Sequence, residues 1–391
     1  MSAHANPDIV DDSLVFIYDT DDGKSFKGEP TVNLATDSPS QGGWAGGREV
    51  LDSSRKKFKL IVNNFNASAG SGQGWRSFTW DLNSYSGQSV TISATVEVPS
   101  ASPGTFAWVM MGQTNTHTSN NSGAGQYMGY SAASERVVKT TTTTEHITWT
   151  GTVGSTGTAS QPSGHVGFTL WYNGGTIGVD SYVEVSNVQI EINSHATQFV
   201  NGTRSATQGL LDRTGNTTIN ISNASFDSSA EMTFDGTDDI INTGLFSGRN
   251  PSTDPFTVEA VVRSDVTSGS KIWIDATSNG SSQRFYSALI DSTSHAIGIQ
   301  GSAWSDPVPS DTNWHHQVIV MDGSTAKAYN NGELASSKSY TSYTLAGGLN
   351  IGGRSGYRWV GQIPIFKLYN RALTAAEVLQ NFNATKSRFG L

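Results

Sequence analysis

Apolar and polar residues alternate with a period of two in many stretches of this chain, which is the pattern of β-strands that bury one face. Residues 90–98 and 165–172 show the alternation clearly, and Asp-Gly and Asn-Gly pairs at 322–323 and 331–332 supply turns of the kind that join antiparallel strands. At least six such strands lie between residues 75 and 192, with no helical pattern between them. The sequence therefore predicts an all-β protein.

A second series of strands follows a polar joint at residues 193–204. It ends in the one convincing helical pattern of the sequence, at residues 374–381, where Thr374 is an N-cap and Glu377 completes a capping box. The spacing of strands and turns is typical of sandwiches. We predict two β-sandwich domains of jelly-roll type, of which the C-terminal one ends in a short helix.

Composition narrows the classes of function. The chain has 391 residues, enough for two domains with full cores, and only 15% of them are charged, with a formal net charge of −9. An acidic, charge-poor surface argues against binding to nucleic acid. The absence of cysteine excludes disulfides, thiolate metal sites and cysteine nucleophiles. The sequence shows neither a signal peptide nor an apolar run long enough to span a membrane, so we expect no membrane contact.

Catalytic chemistry is not predicted. A retaining glycosidase needs two carboxyl groups about 5 Å apart, and no strand has a pair of them at the spacing that shares one face. Glu184 and Glu191, for example, are an odd number of residues apart and so face opposite sides. No Gly-x-Ser-x-Gly elbow, phosphate-binding loop or dinucleotide motif is present. His315 and His316 are adjacent in a strand and point to opposite faces, so we interpret them as structural residues.

Three acidic residues, Asp235, Asp238 and Asp239, cluster in one predicted turn. We interpret them as stabilising that turn through Asx-type hydrogen bonds. A weak calcium site is the alternative, because hard cations prefer carboxylate and carbonyl oxygens, but it needs a further ligand that the sequence does not identify. We therefore predict no metal and no cofactor.

The last part of the chain contains four segments in an order that is specific to one family: residues 232–240, 256–262, 314–316 and 369–373. In this order they resemble the laminin-G-like lectins of the concanavalin A-like fold, over roughly residues 205–391. The resemblance implies a sandwich that holds a ligand on its surface and does no chemistry.

Two further segments resemble proteins of tailed-phage virions. The ending at residues 379–391 is similar to the termini of such proteins, and the junction at residues 188–204 is similar to one that follows a carbohydrate-binding-module-like jelly roll. In this phage type a start like residues 14–19 leads directly into the lectin sandwich, whereas here a long stretch intervenes. We therefore predict that the first strand, at residues 14–18, pairs with the C-terminal sandwich.

The predicted domain organisation follows from this interruption. Residues 1–35 pack with the lectin domain, residues 36–196 form the inserted carbohydrate-binding-module-like jelly roll, and residues 197–391 form the concanavalin A-like lectin domain.

Aromatic residues in loops are the candidates for ligand contact, because sugars stack on the faces of Trp and Tyr rings. The candidate ligand-binding residues are Trp75, Trp171, Tyr172, Trp304, Tyr357, Arg358 and Trp359. On an extended segment, Tyr357 and Trp359 would share one side at a separation of about 7 Å, with Arg358 on the other side. The alternative is that Trp359 fills the sandwich core.

These resemblances imply a structural protein of a phage virion, as a fibre, an appendage or a capsid decoration. We expect synthesis in the host cytoplasm, display on the virion surface, and adhesion to host or environmental glycans through weak multivalent contacts. The expected partners are other virion proteins, further copies of this chain in a homo-oligomer with a trimer favoured, and a cell-surface glycan. A purely architectural protein without a ligand is the first alternative, and a secreted carbohydrate-active enzyme is the second.

Overall fold

The structure is a computed structural model, and it describes the chain in segments. The described residues are 8–43, 46–62, 73–98, 108–114, 136–137, 144–153, 164–173, 181–276, 285–291, 294–299, 302–306, 309–345 and 347–391. By contact, the chain forms two compact units: a terminal unit of Met1–Pro30 with Ser205–Leu391, and an inserted unit of Thr31–Arg204. The predicted domain limits, with residues 36–196 as the inserted jelly roll, stay a prediction.

The inserted unit is a sandwich of two antiparallel sheets. The chain enters it after strand β1 (Leu14–Asp19), which belongs to the terminal unit. Its strands are β2 (Thr31–Val32), β3 (Ser40–Gly43), β4 (Gly46–Asp52), β5 (Lys57–Val62), β6 (Gln73–Asp81), β7 (Ser89–Glu97), β8 (Trp108–Thr114), β9 (Arg136–Val137), β10 (Thr144–Thr152), β11 (His165–Asn173), β12 (Ser181–Glu191) and β13 (Thr203–Arg204). Two 3₁₀ helices, Ser53–Arg55 and Asn83–Tyr85, join strands.

The described strands of the inserted unit pair in the orders β10-β7-β12-β5-β4 and β3-β6-β11-β8-β9, with β13 and β2 as a separate pair. Phe58 and Ile92 from the first sheet and Phe78 and Phe168 from the second are fully buried in one apolar cluster. Alternate residues of each strand therefore fill the space between the two sheets, as the period of two predicts.

The terminal unit is a larger sandwich with one helix among its described residues. Its further elements are β14 (Ser225–Phe226), β15 (Met232–Asp235), β16 (Ile241–Asn242), β17 (Phe256–Ser264), β18 (Lys271–Asp275), β19 (Phe285–Asp291), β20 (Ser294–Ile299), β21 (Ser302–Asp306), β22 (Trp314–Met321), β23 (Thr325–Asn330), β24 (Glu333–Ser339), β25 (Asn350–Ile351), β26 (Val360–Tyr369) and α1 (Ala375–Phe389). The predicted fold class, all-β sandwiches with one short C-terminal helix, is confirmed.

One sheet of the terminal unit has the order β14-β15-β26-β17-β22-β23-β24, with β1 also paired to β26, and the other has the order β16-β25-β18-β19-β20-β21. Phe256 and Val258 of the first sheet and Ile274 and Phe285 of the second lie in one buried cluster. The rings of Phe256 and Phe285 meet edge to face at 5.3 Å and so join the two sheets directly.

Strand β1 pairs antiparallel with β26, from Leu14 opposite Tyr369 to Asp19 opposite Ile365. The predicted pairing of this strand with the C-terminal sandwich is confirmed. Phe16 and Tyr18 are fully buried, and the Tyr18 hydroxyl donates a hydrogen bond to the Ile363 carbonyl oxygen at 3.0 Å. The start of the chain therefore completes the core of a unit whose other strands begin some two hundred positions later.

Helix α1 begins as predicted but extends further. Thr374 and Glu377 form the predicted capping box. The helix continues to Phe389 and not only to residue 381, because Asn381 and Thr385 are also buried on the face that meets the sheet. Polar residues on a buried face have no hydrophobic signature, so the sequence pattern stopped too early. No helix among the described residues has the length and apolarity to cross a bilayer.

A buried ionic network lies between this helix and the sheet. Glu259 on β17 is 1% exposed, and its Oε1 accepts hydrogen bonds from Lys367 Nζ at 2.6 Å and pairs with His316 Nε2 at 3.1 Å. Its Oε2 accepts one from Asn381 Nδ2 of α1 at 2.6 Å. Asn381 Oδ1 in turn accepts the backbone N–H of Val10 at 2.8 Å. One carboxylate therefore connects three strands, the helix and the N-terminal segment.

The environment of Glu259 sets its protonation. Burial alone would raise the pKa of this carboxyl, but the charge of Lys367 and the hydrogen bonds from His316 and Lys367 outweigh burial and lower the pKa to about 2, from an ordinary value of 4.5. Since the folded-state pKa is the lower one, the ionisation stabilises the folded state fully above pH 4.5 and loses its effect as the pH falls towards 2.

We predict that Glu259→Gln destabilises the terminal unit by about 3–5 kcal/mol at pH 7, because the charge of Lys367 is left buried and unpaired. The difference from the parent should shrink as the pH falls below 4.5. Native-state hydrogen exchange of β17 and β26 amides measures both quantities.

The control for this variant is Asp265→Asn, which breaks an ion pair with Arg263 in which the side chains are 49% and 35% exposed. This loss should cost less than about 1 kcal/mol. Equal and pH-independent costs for the two variants would show that the buried network does not act through charge.

Candidate functional site

The six-stranded sheet of the terminal unit presents a row of polar and aromatic residues on the face away from the core. The cross-strand register places in one line Asn242, Asn350, Asp275, Tyr286 and Gly298. The neighbouring line contains Ile241, Ile351, Ile274 and Ile297, which all lie in the core cluster. Because successive residues of a strand point to opposite faces, the first line faces outward.

Arg354, in the loop between β25 and β26, joins this outward row. Its Nη1 donates a hydrogen bond to Asp275 Oδ1 at 3.2 Å. Its Cζ lies 5.7 Å from the centroid of the Tyr286 ring and 4.9 Å from that of the Tyr357 ring. Both distances are in the range of cation–π contacts. The Asp275 side chain is 0% exposed and that of Arg354 is 21% exposed, so the guanidinium covers the carboxylate and remains open to solvent itself.

The loop that holds Arg354 is bonded to the edge of β18. The Tyr357 N–H donates to the Arg354 carbonyl oxygen at 2.9 Å, and the Tyr357 carbonyl oxygen accepts from Ile272 N–H at 3.1 Å. Gly353 has a φ of +91°, and a Cβ there would lie 2.5 Å from the Tyr357 carbonyl oxygen. Only glycine meets both conditions, and the loop is consequently held close against the strand.

The position of the Tyr286 ring depends on a second glycine, Gly298. A Cβ on Gly298, its cross-strand partner, would lie 1.9 Å from Cε1 of the Tyr286 ring. The ring therefore rests against the backbone of β20, in a place that a side chain would otherwise occupy. This contact holds the ring beside Arg354.

Of the residues predicted from sequence, Tyr357 lies in this site and is 42% exposed. Trp359, by contrast, is 1% exposed and belongs to the core cluster. The expectation that these two rings share a face is wrong, and Trp359 is a packing residue and not a ligand-binding one. The reason is local: the chain turns at Arg354–Tyr357, and Trp359 N–H bonds back to the Gly352 carbonyl oxygen at 3.1 Å, so the segment is not extended.

Arg358 is next to the site in sequence, and its backbone bridges to Ile272. Its Nε and Nη1 are buried and have no hydrogen-bond partner among the described residues. The structure describes only the backbone of the other candidates: Trp171 pairs with both Trp75 and Trp108, Tyr172 pairs with Gly74, and Trp304 pairs with Ile297. Their contact with a ligand stays a prediction.

Asp275, Tyr286 and Arg354 were missed from the sequence. Because successive residues of a strand point to opposite faces, the apolar Phe285 in the core implies that Tyr286 points outward. This alternation could have identified Tyr286 as a surface residue from the sequence. The register that brings Tyr286 beside Asp275 has no such signal, because it depends on pairing between strands.

The acidic turn has the predicted structural role. The carboxylate oxygens of Asp235, Asp238 and Asp239 lie within 4.8 Å of one another. Asp239 accepts hydrogen bonds from the Asp235 N–H and the Ser225 hydroxyl, and Asp235 accepts one from the Thr237 N–H at 2.6 Å. Burial raises the pKa of Asp239 to about 6, and the neighbouring carboxylates add to the effect. Asp235 and Asp239 thus bond the turn to itself and to Ser225 of β14.

The two adjacent histidines also have structural partners. His316 is part of the Glu259 network, and His315 Nε2 lies 2.8 Å from Asp311 Oδ1 while its side chain is 9% exposed.

Comparison with known proteins agrees with this architecture. Residues 235–379, less than half of the chain, match the Laminin_G_3 family, which is described as the concanavalin A-like lectin/glucanases superfamily. The C-terminal part of the chain is a laminin-G-like domain. No curated protein matches the chain in sequence.

Solved structures resemble the chain only distantly. A Trypanosoma rangeli sialidase is similar at a TM-score of 0.37 and 13% identity, over 46% of this chain and 31% of the sialidase. The binding domain of botulinum neurotoxin serotype D is similar at a TM-score of 0.36 and 14% identity, over 46% of this chain and 50% of the toxin domain. Domain 4 of a Geobacillus stearothermophilus arabinanase, in complex with arabinotriose, is similar at a TM-score of 0.33 and 17% identity, over 45% of this chain and 92% of the arabinanase domain. The chain thus spans half or less of the first two proteins, and at these TM-scores the likenesses establish no function.

We predict that Trp359→Ala destabilises the terminal unit by about 3–5 kcal/mol, since a large buried side chain is removed from a packed core. Tyr357→Ala, two residues away, should cost no more than about 1 kcal/mol, the value of a lost surface cation–π contact. Denaturant unfolding of the two variants measures this contrast. Similar costs would show that the two rings share one environment after all.

Proposed function

We propose that the terminal unit binds glycans at the Tyr286–Arg354–Tyr357 site. The observation that supports this most is an exposed tyrosine ring beside a guanidinium group on a lectin-like sandwich. Sugars offer C–H faces that stack on aromatic rings and hydroxyls that bond to Arg, Asn and Asp side chains. The site provides both kinds of contact within one loop and one strand row.

Binding without hydrolysis fits the chemistry of the site. The matched superfamily includes lectins and glucanases, so the family alone does not decide between them. A glycosidase needs two carboxyl groups that flank the scissile bond. Among the described residues of this site the one carboxylate, Asp275, is fully buried and paired with Arg354. The lectin-like fold therefore favours a binding role.

We further propose that the protein is displayed on the surface of a tailed-phage virion, where many copies contact host or environmental glycans. The ground for this setting is the resemblance to phage virion proteins that we infer from residues 188–204 and 379–391 of the sequence. In this role the chain would assemble with other virion proteins and with copies of itself. The inserted unit would serve as a second carbohydrate-binding module or as a spacer.

We predict that the purified full chain is retained on an array of immobilised glycans and that Tyr357→Ala weakens this binding about tenfold, as expected for one lost stacking contact of ~1–1.5 kcal/mol. Gly298→Ala should weaken it as well, because the new methyl group displaces the Tyr286 ring without removing any site atom. The bound glycan should be recovered at its original length.

The matched control is Gly47→Ala, a strand glycine of the inserted unit at which a Cβ meets nothing within 4 Å. It should bind like the parent. Retention that is the same for all three variants would reject this site, and an array without any retained glycan would favour the architectural alternative.

We predict that the chain self-associates, with a trimer as the favoured state. Only 15% of the residues are charged, so like-charge repulsion between copies is small, and closed cyclic assemblies are the common form of homo-oligomers. Sedimentation equilibrium at micromolar concentration measures the state, and a monomer there would contradict the prediction.

A further inference from the structure

We propose that the glycan bound at this site carries an anionic substituent, a carboxylate or a sulfate ester, which pairs with Arg354. This inference rests on the proposed function and names the class of ligand. It follows from the hydrogen-bonding capacity and the charge of the loop between β25 and β26.

The first step is the unused capacity of Arg354. A guanidinium has five N–H donors and no acceptor. Among the described residues only Nη1 of Arg354 donates, to Asp275 Oδ1 at 3.2 Å, while Nε and Nη2 have no protein acceptor. Two neighbouring donors on a planar group match the two oxygens of a carboxylate or a sulfate better than they match a single hydroxyl.

The second step is the charge balance. Arg354 and Arg358 lie four residues apart on one loop, and the described residues contain one ion pair for the two of them, that between Arg354 and Asp275. Buried guanidinium donors without a partner, such as Nε and Nη1 of Arg358, are costly in the absence of an acceptor or water. Residues 352–359 thus carry two guanidinium groups and no carboxylate of their own. The acidic turn approaches the loop at Gly352 through the Asp239 backbone carbonyl oxygen, and the carboxylate that pairs with the loop is Asp275.

The third step is position. The Arg354 guanidinium lies 4.9 Å from the Tyr357 ring centroid and 5.7 Å from that of Tyr286, and the Asp275 pair fixes one of its edges. The side chain is therefore held in place before a ligand arrives, which lowers the entropic cost of binding. Tyr357 and Arg354 are thus neighbouring parts of one site, so a sugar that contacts the open side of the ring can direct a substituent past the ring edge towards the guanidinium.

The test compares acidic glycans with uncharged counterparts of the same shape. Titration calorimetry with the full chain would use α-1,4-linked tetragalacturonate against its methyl ester, sialyllactose against lactose, and a sulfated against an unsulfated galactan oligosaccharide. We expect the acidic member of at least one pair to bind tenfold or more tightly, with an affinity that falls as NaCl is raised. The uronate and sialate pairs detect a carboxylate, and the galactan pair detects a sulfate ester.

Two variants assign the preference to Arg354. The single variant Arg354→Gln and the double variant Arg354→Gln with Asp275→Asn should each reduce the acid-to-neutral ratio to near one, and the double variant removes the buried carboxylate together with the guanidinium that covers it. The matched control is Arg263→Gln, because Arg263 has a carboxylate partner at 3.2 Å and an aromatic ring at 5.2 Å in the same unit. It should keep the parent ratio.

The outcomes separate the two proposals. Equal binding of acidic and neutral members by the parent overturns this inference and leaves glycan binding in place. A preference for the acidic member that survives in the double variant overturns it too, since the charge would then be recognised elsewhere. No binding to any of these oligosaccharides, together with an array that retains no glycan, overturns the proposed function and this inference with it.

Discussion

The buried carboxylate of Glu259 is the constraint on which the terminal unit depends. Ionised and out of contact with water, it has to be paired, and Lys367, His316 and Asn381 supply the partners from β26, β22 and α1. The amide of Asn381 extends the network to the backbone of Val10. Replacing any one partner would leave charged or polar atoms buried and unsatisfied, so the network specifies a single arrangement of these elements.

Strand β26 connects this network to the proposed glycan site. It pairs with β17 on one side and with β1 and β15 on the other, and it begins directly after the loop that contains Arg354 and Tyr357. Trp359 anchors the junction in the core, while the Gly353 turn and the bond from Ile272 fix the other side of the loop. The exposed ring of the site is thus positioned by residues that never meet a ligand.

The sequence predicted those features that depend on local rules. Alternation located most strands, and the Thr374–Glu377 pair located the start of α1. The pairing of β1 with β26 is a long-range contact, and it was predicted from the resemblance to an interrupted lectin pattern and not from a local rule. Strand β24 shows no alternation of apolar and polar residues because its sequence is mostly polar, as befits an edge strand with much exposure. The site was predicted only in part, through Tyr357, because Asp275, Tyr286 and Arg354 meet through cross-strand register and a glycine turn that no single segment encodes.

The few contacts that the proposed site offers limit the affinity of a single copy for a glycan. A stacking contact and a cation–π contact contribute only about 0.5–1.5 kcal/mol each beyond burial, and a millimolar Kd already needs −4.1 kcal/mol. If the proposal holds, one Tyr286–Arg354–Tyr357 site would bind a glycan weakly, even with an added ion pair that solvent partly screens. A weak site is useful when several copies act together, since linked sites at matched spacing gain about 10²–10⁴-fold in avidity without any new contact. For such multivalent binding, a fixed orientation of the site would increase the overall affinity more than a deeper pocket would. Copies that present it in one fixed orientation can engage a repeating polymer at the same time, whereas sites on mobile loops would lose that gain to the entropy of alignment.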